Sequence, residues 1–395
     1  METSTRLEGI GEYYFSQKLR EIDTLNREGR DIINLGIGSP DLPPHPSVIE
    51  ELQLQAAKPN THAYQNYKGS PVLRKAIADW YANWYQVNLD PDTEILPLIG
   101  SKEGIMHICM SYLNAGDVAL VPDPGYPTYS SAVKLAGGSV STYTLSASNR
   151  WAPEIDTLEQ LIQNVGKRVK LLFVNFPHMP TGSLPSESLF ERLIELAKRH
   201  NILIVHDNPY SFILNEQPAS MLSVAGAREV VVELNSLSKS HNMAGWRVGM
   251  LCGAAARIND VIRFKSNMDS GMFLPVQLAA AKALSLGKDW FEKLNAHYRE
   301  RRQRVYELLD ILGCSYTKDQ AGMFVWAEKS PASESGYALS DKILYGASVF
   351  ITPGGIFGKA GEQYIRISLC TPVEKLDAAI ERVRNFIQLN GLIAG

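Results

Sequence analysis

Cysteine is scarce in this sequence: Cys109, Cys252, Cys314 and Cys370 stand far apart, with no Cys-x-x-Cys pair. That spacing offers no disulfide framework, and the four read as reduced, packed thiols of a cytoplasmic protein with no metal centre. A basic block is also missing. With a net charge of −3, nucleic acid and anionic membranes are not expected as main partners. No uninterrupted apolar run is long enough to span a bilayer, and the polar opening from Met1 to Arg6 is unlike a signal peptide. Internal repeats and low-complexity segments are absent too. What the chain does have is 395 residues with 45% apolar content, enough to bury a large core in two or three domains.

Short apolar runs alternate with amphipathic stretches through the middle of the sequence. Strands are predicted at 94–99, 118–121, 139–145, 171–175, 202–206 and 230–234, and helices at 101–113, 127–135, 155–165 and 186–199. Continuous apolar strands separated by helices predict an α/β fold with a mainly parallel sheet covered by helices on both faces. A long helical pattern runs from about 275 to 312, with a break near Gly287. Strand-like runs follow at 323–327, 348–351 and 364–369, then a closing helix at 373–389. This tail predicts a smaller α+β domain, against which the first 40 or so residues should pack. The expected division is a large domain over 46–285 and a small one built from 1–45 and 286–395. Arg299, Arg301, Arg302 and Arg304 fall on the long helix and are expected to form a solvated face.

One stretch concentrates chemistry. Ser236, Ser238, Lys239, Gly245, Arg247 and Gly249 follow closely on the apolar run of Val230, Val231, Val232 and Leu234. A lysine at a strand tip is partly desolvated, which lowers its pKa and frees an amine for Schiff-base chemistry. The serines and Arg247 suit a phosphate monoester beside it. In an open parallel sheet ligands bind beyond the carboxyl ends of the strands, and other unusual residues stand at such ends. Gly100, Ser101 and Lys102 open a helix whose N-terminus suits a phosphate, although a simple N-cap explains them equally well. Tyr126, in Pro122-Asp-Pro-Gly-Tyr-Pro127, could present a stacking face or merely pack a loop. Asp207 could hold a cationic ring nitrogen or cap a turn. Arg366, in the run Tyr364-Ile-Arg-Ile-Ser-Leu369, needs an anion, whether a substrate carboxylate or a structural partner.

Taken together these residues resemble the class I/II aminotransferases, fold-type I pyridoxal-phosphate-dependent enzymes. The resemblance runs from Leu35-Gly-Ile-Gly38-Ser-Pro-Asp41 to Arg366, and the block around Lys239 and Arg247 is its most specific part. Tyr64, Gly69, Leu73 and Arg74 match a further element of the family. Within it the chain is most similar to the branch containing LL-diaminopimelate aminotransferases. The resemblance implies that Lys239 forms an aldimine with pyridoxal 5′-phosphate and later moves the proton between Cα and C4′. Asp207 would pair with the pyridinium nitrogen, Tyr126 would stack on the ring, and Tyr210 would donate to the phenolic oxygen. Ser101, Lys102, Ser236, Ser238 and Arg247 would surround the phosphate. Tyr64 would reach the cofactor phosphate of a neighbouring subunit, which requires a homodimer with shared sites. Gly38 and Arg366 would receive the amino-acid end of the substrate. Tyr13 or Tyr14, with Asn267 from the partner chain, would line the side-chain pocket.

One departure stands out. The family's Asn-Pro-Thr-Gly reads here as Met179-Pro180-Thr181-Gly182. The missing asparagine normally donates to the cofactor's phenolic oxygen, and a thioether cannot donate. Tyr210 is then the main donor unless Asn175 or a water substitutes. The implied activity is ping-pong transfer of an amino group between an amino acid and a 2-oxo acid. A carbon–sulfur β-lyase would use the same lysine, aspartate and arginine, and stays open at this point. A ligand-sensing DNA-binding regulator is disfavoured, because only about 30 residues precede Leu35 and no basic surface is signalled. No residue announces a second carboxylate-binding arginine, which lowers the expectation for aspartate as donor.

Overall fold

The computed structural model describes residues 2–12 and 14–389, with the side chain of Glu187 left out. Tyr13, one of the two side-chain-pocket candidates, lies outside the described residues. The central sheet has seven strands: β1 (Ile95–Leu98), β2 (Val118–Asp123), β3 (Ser139–Thr144), β4 (Val169–Asn175), β5 (Leu203–Asp207), β6 (Val231–Ser236) and β7 (Gly249–Gly253). Their spatial order is β1-β7-β6-β5-β4-β2-β3. Pairings from β6 through β3 are parallel, whereas β7 runs antiparallel to both β1 and β6.

The interior strands are apolar on both faces because helices cover both. Leu171, Phe173, Val205, Val232 and Leu234 pack into one cluster, while Leu172, Val174, Ile204 and Val231 pack into another across the sheet. Alternate residues of one strand thus serve opposite cores, as the pleat requires. Strand β7 escaped the sequence reading. Its residues Gly249-Met-Leu-Cys-Gly253 are bracketed by glycines and lack β-branched side chains, so local propensity is weak and the neighbours decide its state.

A smaller four-stranded sheet forms from β8 (Ser315–Tyr316), β9 (Phe324–Glu328), β10 (Thr352–Pro353) and β11 (Tyr364–Ser368), in the order β10-β11-β9-β8. Residues Ile33–Asn34 pair in parallel with Val349–Phe350. Phe15, Ile33 and Leu35 share a core with Val325, Ile365, Ile367 and Val383, so the start of the chain packs on the tail. Helices Leu274–Leu284 and Lys288–Ile311 are separated at Gly287, as the periodicity predicted. On the second helix the expected solvated arginine face is corrected at one position. Arg301 is 4% exposed and bonds Asp41, because that helix face is covered by the 35–45 segment. Among the described residues no helix is long and apolar enough to cross a membrane, and the four cysteines are free and buried.

The strand directions place one edge of the sheet at the centre of interest. β2, β4, β5 and β6 all end there, and β1 ends there as well. β7 begins there, with Leu98 paired to Gly249. Groups that follow β1 and precede β7 therefore meet at the same edge as the tips of the parallel strands.

Behind that edge lies a buried polar knot. Glu233, on β6, is fully buried and accepts from Tyr81 Oη at 2.9 Å, Ser220 Oγ at 2.7 Å and the Met221 N–H at 3.0 Å. His206 Nδ1 lies 2.8 Å from the same carboxylate. Removing one member of such a knot strands the others in a dry core. Glu233→Ala is expected to cost about 3–5 kcal/mol of unfolding free energy, read by chemical denaturation. A loss well below 1 kcal/mol would mean the knot is dispensable.

Candidate active site

A cavity of about 320 Å³ opens at the carboxyl edge of the sheet, and most of the singled-out residues line it. Ser101 and Lys102 start the helix Ser101–Tyr112, their amides standing in the first turn at its N-terminus. Gly100 precedes them with φ +83, and a Cβ there would lie 2.0 Å from Arg247 Nη2, so only glycine lets the guanidinium approach this helix start. Arg247 Nη1 donates to the Ala244 carbonyl at 2.7 Å and to Ser238 Oγ at 3.4 Å. Ser236 caps the short helix Leu237–Ser240, which carries Lys239, by accepting from the Ser238 N–H at 3.2 Å. Amides, hydroxyls and one guanidinium thus converge as an anion cradle.

Lys239 points along the cavity and donates from Nζ to the Gly38 carbonyl at 2.6 Å. Burial lowers its pKa below the ordinary lysine value, with the Arg366 and Arg247 charges pushing the same way. Asp207, at the tip of β5, is 5% exposed and accepts from Tyr129 Oη at 2.7 Å through Oδ2. Its Oδ1 is buried without a hydrogen-bond partner. Burial pushes this carboxyl up to about 6, opposed by the Tyr129 hydrogen bond and the neighbouring His206. A buried acceptor at the floor of a cavity is suited to a cationic ring N–H. Tyr129 was not foreseen. It sits one helical turn after Tyr126 in Pro127–Leu135, stacked on Phe173 at 4.8 Å, and that spacing after a strand tip was its only signal.

Tyr126 lines the cavity at an edge-to-face angle to Tyr129, with ring centroids 5.6 Å apart. Tyr210 packs edge-on against Phe324, and burial raises its hydroxyl pKa. At the other end, Arg366 projects from β11 with its guanidinium 3.8 Å from the Phe324 ring centre, 4.6 Å from Phe357 and 5.5 Å from Phe15. Its Nη2 donates to the Gly36 carbonyl at 2.9 Å, and Nη1 lies 3.3 Å from Met179 Sδ. These three rings were not anticipated, because they come from three remote segments. Gly38 lies directly on Phe324, where a Cβ would stand 2.2 Å from Cζ.

Asn175 cannot easily take over the role of the absent asparagine. Its Nδ2 donates to the Asp207 carbonyl at 2.7 Å, and its Oδ1 accepts from the Met179 N–H at 2.7 Å. Three candidates are not in the cavity. Tyr14 packs edge-on against Tyr337, on the small-sheet side. Tyr64 is 91% exposed. Asn267 donates to the Arg263 carbonyl at 2.8 Å and lines a separate hollow with Tyr112 and Asp260. Glu103, His107 and Asp269 also come together, but the buried Lys265 bonds both Asp269 oxygens, at 2.8 and 2.6 Å, and supplies the counter-charge there.

Residues 30–383 match the family described as aminotransferase class I and II. An LL-diaminopimelate aminotransferase of Dehalococcoides mccartyi is 40% identical, over 98% of this chain and 99% of its own. The enzyme of that name from Aquifex aeolicus is 38% identical, over 97% and 99%. Among solved structures, substrate-bound BacF of Bacillus subtilis matches with a TM-score of 0.92 and 34% identity, covering 98% of each chain. An aromatic aminotransferase of Pyrococcus horikoshii matches with a TM-score of 0.86 and 28% identity, covering 92% of this chain and 97% of its own.

The raised carboxyl has a sign that can be checked in cofactor-free protein. The folded state holds the Asp207 proton to about pH 6, whereas an unfolded aspartate releases it near 4. Between those values the native state binds more protons, so stability falls as pH rises, by roughly 2–3 kcal/mol in all. Asp207→Asn should match wild type near pH 4 and exceed it above pH 6 in denaturant melts. Parallel curves for the two proteins would refute the assignment.

Proposed function

We propose how this chain, which belongs to the aminotransferase class I and II family and is a pyridoxal-phosphate-dependent aminotransferase, divides its cavity between cofactor and substrate. The carrying observation is the unpartnered, buried Oδ1 of Asp207 in the same cavity as the Lys239 amine and the cradle of Ser101, Ser236, Ser238 and Arg247. These residues fit pyridoxal 5′-phosphate. The cradle and the Lys102 amide would hold its phosphate, Asp207 its ring nitrogen, and Lys239 would form the covalent link. When bound, the cofactor supplies a ring that withdraws electrons from the substrate's Cα. The chain's own part is to hold, orient and move protons. Tyr129 orients the Asp207 carboxylate, which keeps the ring nitrogen protonated. Tyr126 would offer the ring a stacking face, and Tyr210 would donate to its phenolic oxygen. Lys239, with its lowered pKa, takes and returns the Cα proton. Two half-reactions then alternate, with amino acid and 2-oxo acid visiting one site in turn. Nothing in the relatives' names favours a lyase.

At the substrate end Arg366 takes the α-carboxylate in a fork, with Gly38 beside it. LL-diaminopimelate is the first donor to try, on the strength of relatives that carry its name. A specific observation favours a second reading. The cations lining the cavity are Lys102, Lys239, Arg247 and Arg366, and three of these belong to the cofactor end. Around Arg366 the lining is mainly apolar, with Phe15, Ile37, Met179, Phe324 and Phe357 and the small polar Ser39, which suits an apolar side chain better than the second amino-acid end of diaminopimelate. We place Tyr64 and Asn267 at the cavity of a second subunit. Gly271 lies against the Gln65 and Asn66 carbonyls, so the two loops share a face that exposes Tyr64, Tyr67, Met268 and Phe273, a surface apt for a homodimer. A cytoplasmic location is part of the same reading.

Two measurements test it. Purified enzyme should show visible cofactor absorbance that is lost in Lys239→Ala. In a panel of LL-diaminopimelate, leucine, phenylalanine and aspartate, a competent donor should bleach wild type stoichiometrically. Continuous release of ammonia from a donor would instead point to the lyase. Separately, the pH midpoint of the visible absorbance should move down in Met179→Asn, since a donor restored there favours the ionised phenolic oxygen. An unchanged midpoint would remove Met179 from the tuning of the site.

A further inference from the structure

The segment that carries Gly38 has no regular structure: residues 35–45 join no helix or strand. Backbone bonds hold its start, from the Leu35 N–H to the Phe350 carbonyl and from the Ser368 N–H to the Leu35 carbonyl, both at 2.8 Å. Beyond Leu35, side chains from far along the chain fix it. Arg366 donates to the Gly36 carbonyl, Lys239 to the Gly38 carbonyl, and Asn242 Nδ2 to the Pro43 carbonyl at 3.2 Å. The first two of these donors are the groups that the proposed reaction spends on substrate and cofactor, so their bonds to the segment compete with ligands. Arg301 does not. It lies outside the cavity wall, and its guanidinium grips Asp41 in a fork, Nη1 to Oδ1 at 2.7 Å and Nη2 to Oδ2 at 2.8 Å. Nη1 also donates to the Leu369 carbonyl at 3.0 Å, and the Tyr298 ring lies against the guanidinium at 6.0 Å.

The positions joined are informative. Asp41 stands three residues after Gly38, and Leu369 three residues after Arg366. One buried guanidinium therefore ties together the two segments that present the substrate-end groups. We propose that Arg301 and Asp41 form a clamp that sets the distance between Gly38 and Arg366 and thereby the affinity for the substrate carboxylate. Arg301 is a positioning residue in this scheme, and touches neither substrate nor cofactor. The proposal rests on the reading of Gly38 and Arg366 as the substrate end. A planar fork is needed because three bonds leave one rigid group, and a lysine ammonium cannot span both Asp41 oxygens and the Leu369 carbonyl in that plane.

The test uses the cofactor-loaded enzyme with Arg301→Lys and Asp41→Asn, and with Arg304→Ala on the same helix as control. Small misplacements of a binding group are costly, so KM for the amino donor should rise about tenfold or more in both clamp variants. kcat, the cofactor dissociation constant and the visible spectrum should stay near wild type, and Arg304→Ala should leave all of them unchanged. Amide hydrogen exchange over residues 36–41 should quicken in the clamp variants without any substrate present. If Arg301→Lys fails to fold, Asp41→Asn, a near-isosteric change at a partly exposed side chain, carries the test alone. A KM within twofold of wild type in a variant that keeps its cofactor overturns the clamp, as does an equal loss of kcat. Arg366→Lys run alongside separates the two levels. An unchanged KM there overturns the reading of the substrate end. A raised KM there with unchanged KM in the clamp variants overturns the clamp alone.

Discussion

A carboxyl group held out of water at the tip of a parallel strand is unfavourable, and the cavity is organised around that one burden. Asp207 is offered a single internal donor, Tyr129, and is left with an oxygen that nothing in the described chain satisfies. Burial drives Lys239 in the opposite chemical sense, toward the neutral amine. Acid and amine are thus both kept away from their ordinary ionisation by the same dry surroundings. A ligand carrying a ring N–H at one point and a carbonyl carbon at another relieves both at once. On the proposed reading, the fold leaves both groups waiting for such a ligand.

That arrangement depends on strand direction. Were β7 parallel to its neighbours, Arg247 would emerge at the opposite edge of the sheet from Asp207 and Ser236. Running antiparallel between β1 and β6, it delivers Arg247 beside Gly100 and Ser101, with Leu98 and Gly249 in register. The cradle thus draws on the end of one strand, the beginning of another and the tip of a third. It is held together by sheet hydrogen bonds as well as by the bonds that join Ser236, Ser238 and Arg247 within it.

Much of this was legible in the sequence, because strand tips announce themselves by an apolar run that stops at an unusual polar residue. Val230, Val231, Val232 and Leu234 before Ser236 and Lys239, and the predicted strand 202–206 before Asp207, are of that kind. What stayed hidden was whatever tertiary neighbours decide. β7 has almost no strand propensity of its own. Arg301 looks like any arginine on a polar helix until the 35–45 segment covers it. Phe15, Phe324 and Phe357 meet around Arg366 from separate elements, and no local spacing relates them. The division is physical: periodicity reports which face is buried, but not what buries it.

The two ends of the cavity follow different rules as a consequence. The end that holds Ser101, Asp207 and Arg247 is built from sheet edges and helix starts, where backbone geometry leaves little freedom. The end that holds Gly38 and Arg366 is built from an irregular segment and a cation packed between rings, where position depends largely on side chains. Met179 belongs to this second region: its thioether lies 3.3 Å from the Arg366 guanidinium. Exchanging a donor for a soft acceptor weakens a polar hold but keeps the guanidinium in an apolar wall. If Gly38 and Arg366 form the substrate end as proposed, whatever fixes the distance between them bears directly on how a carboxylate is held.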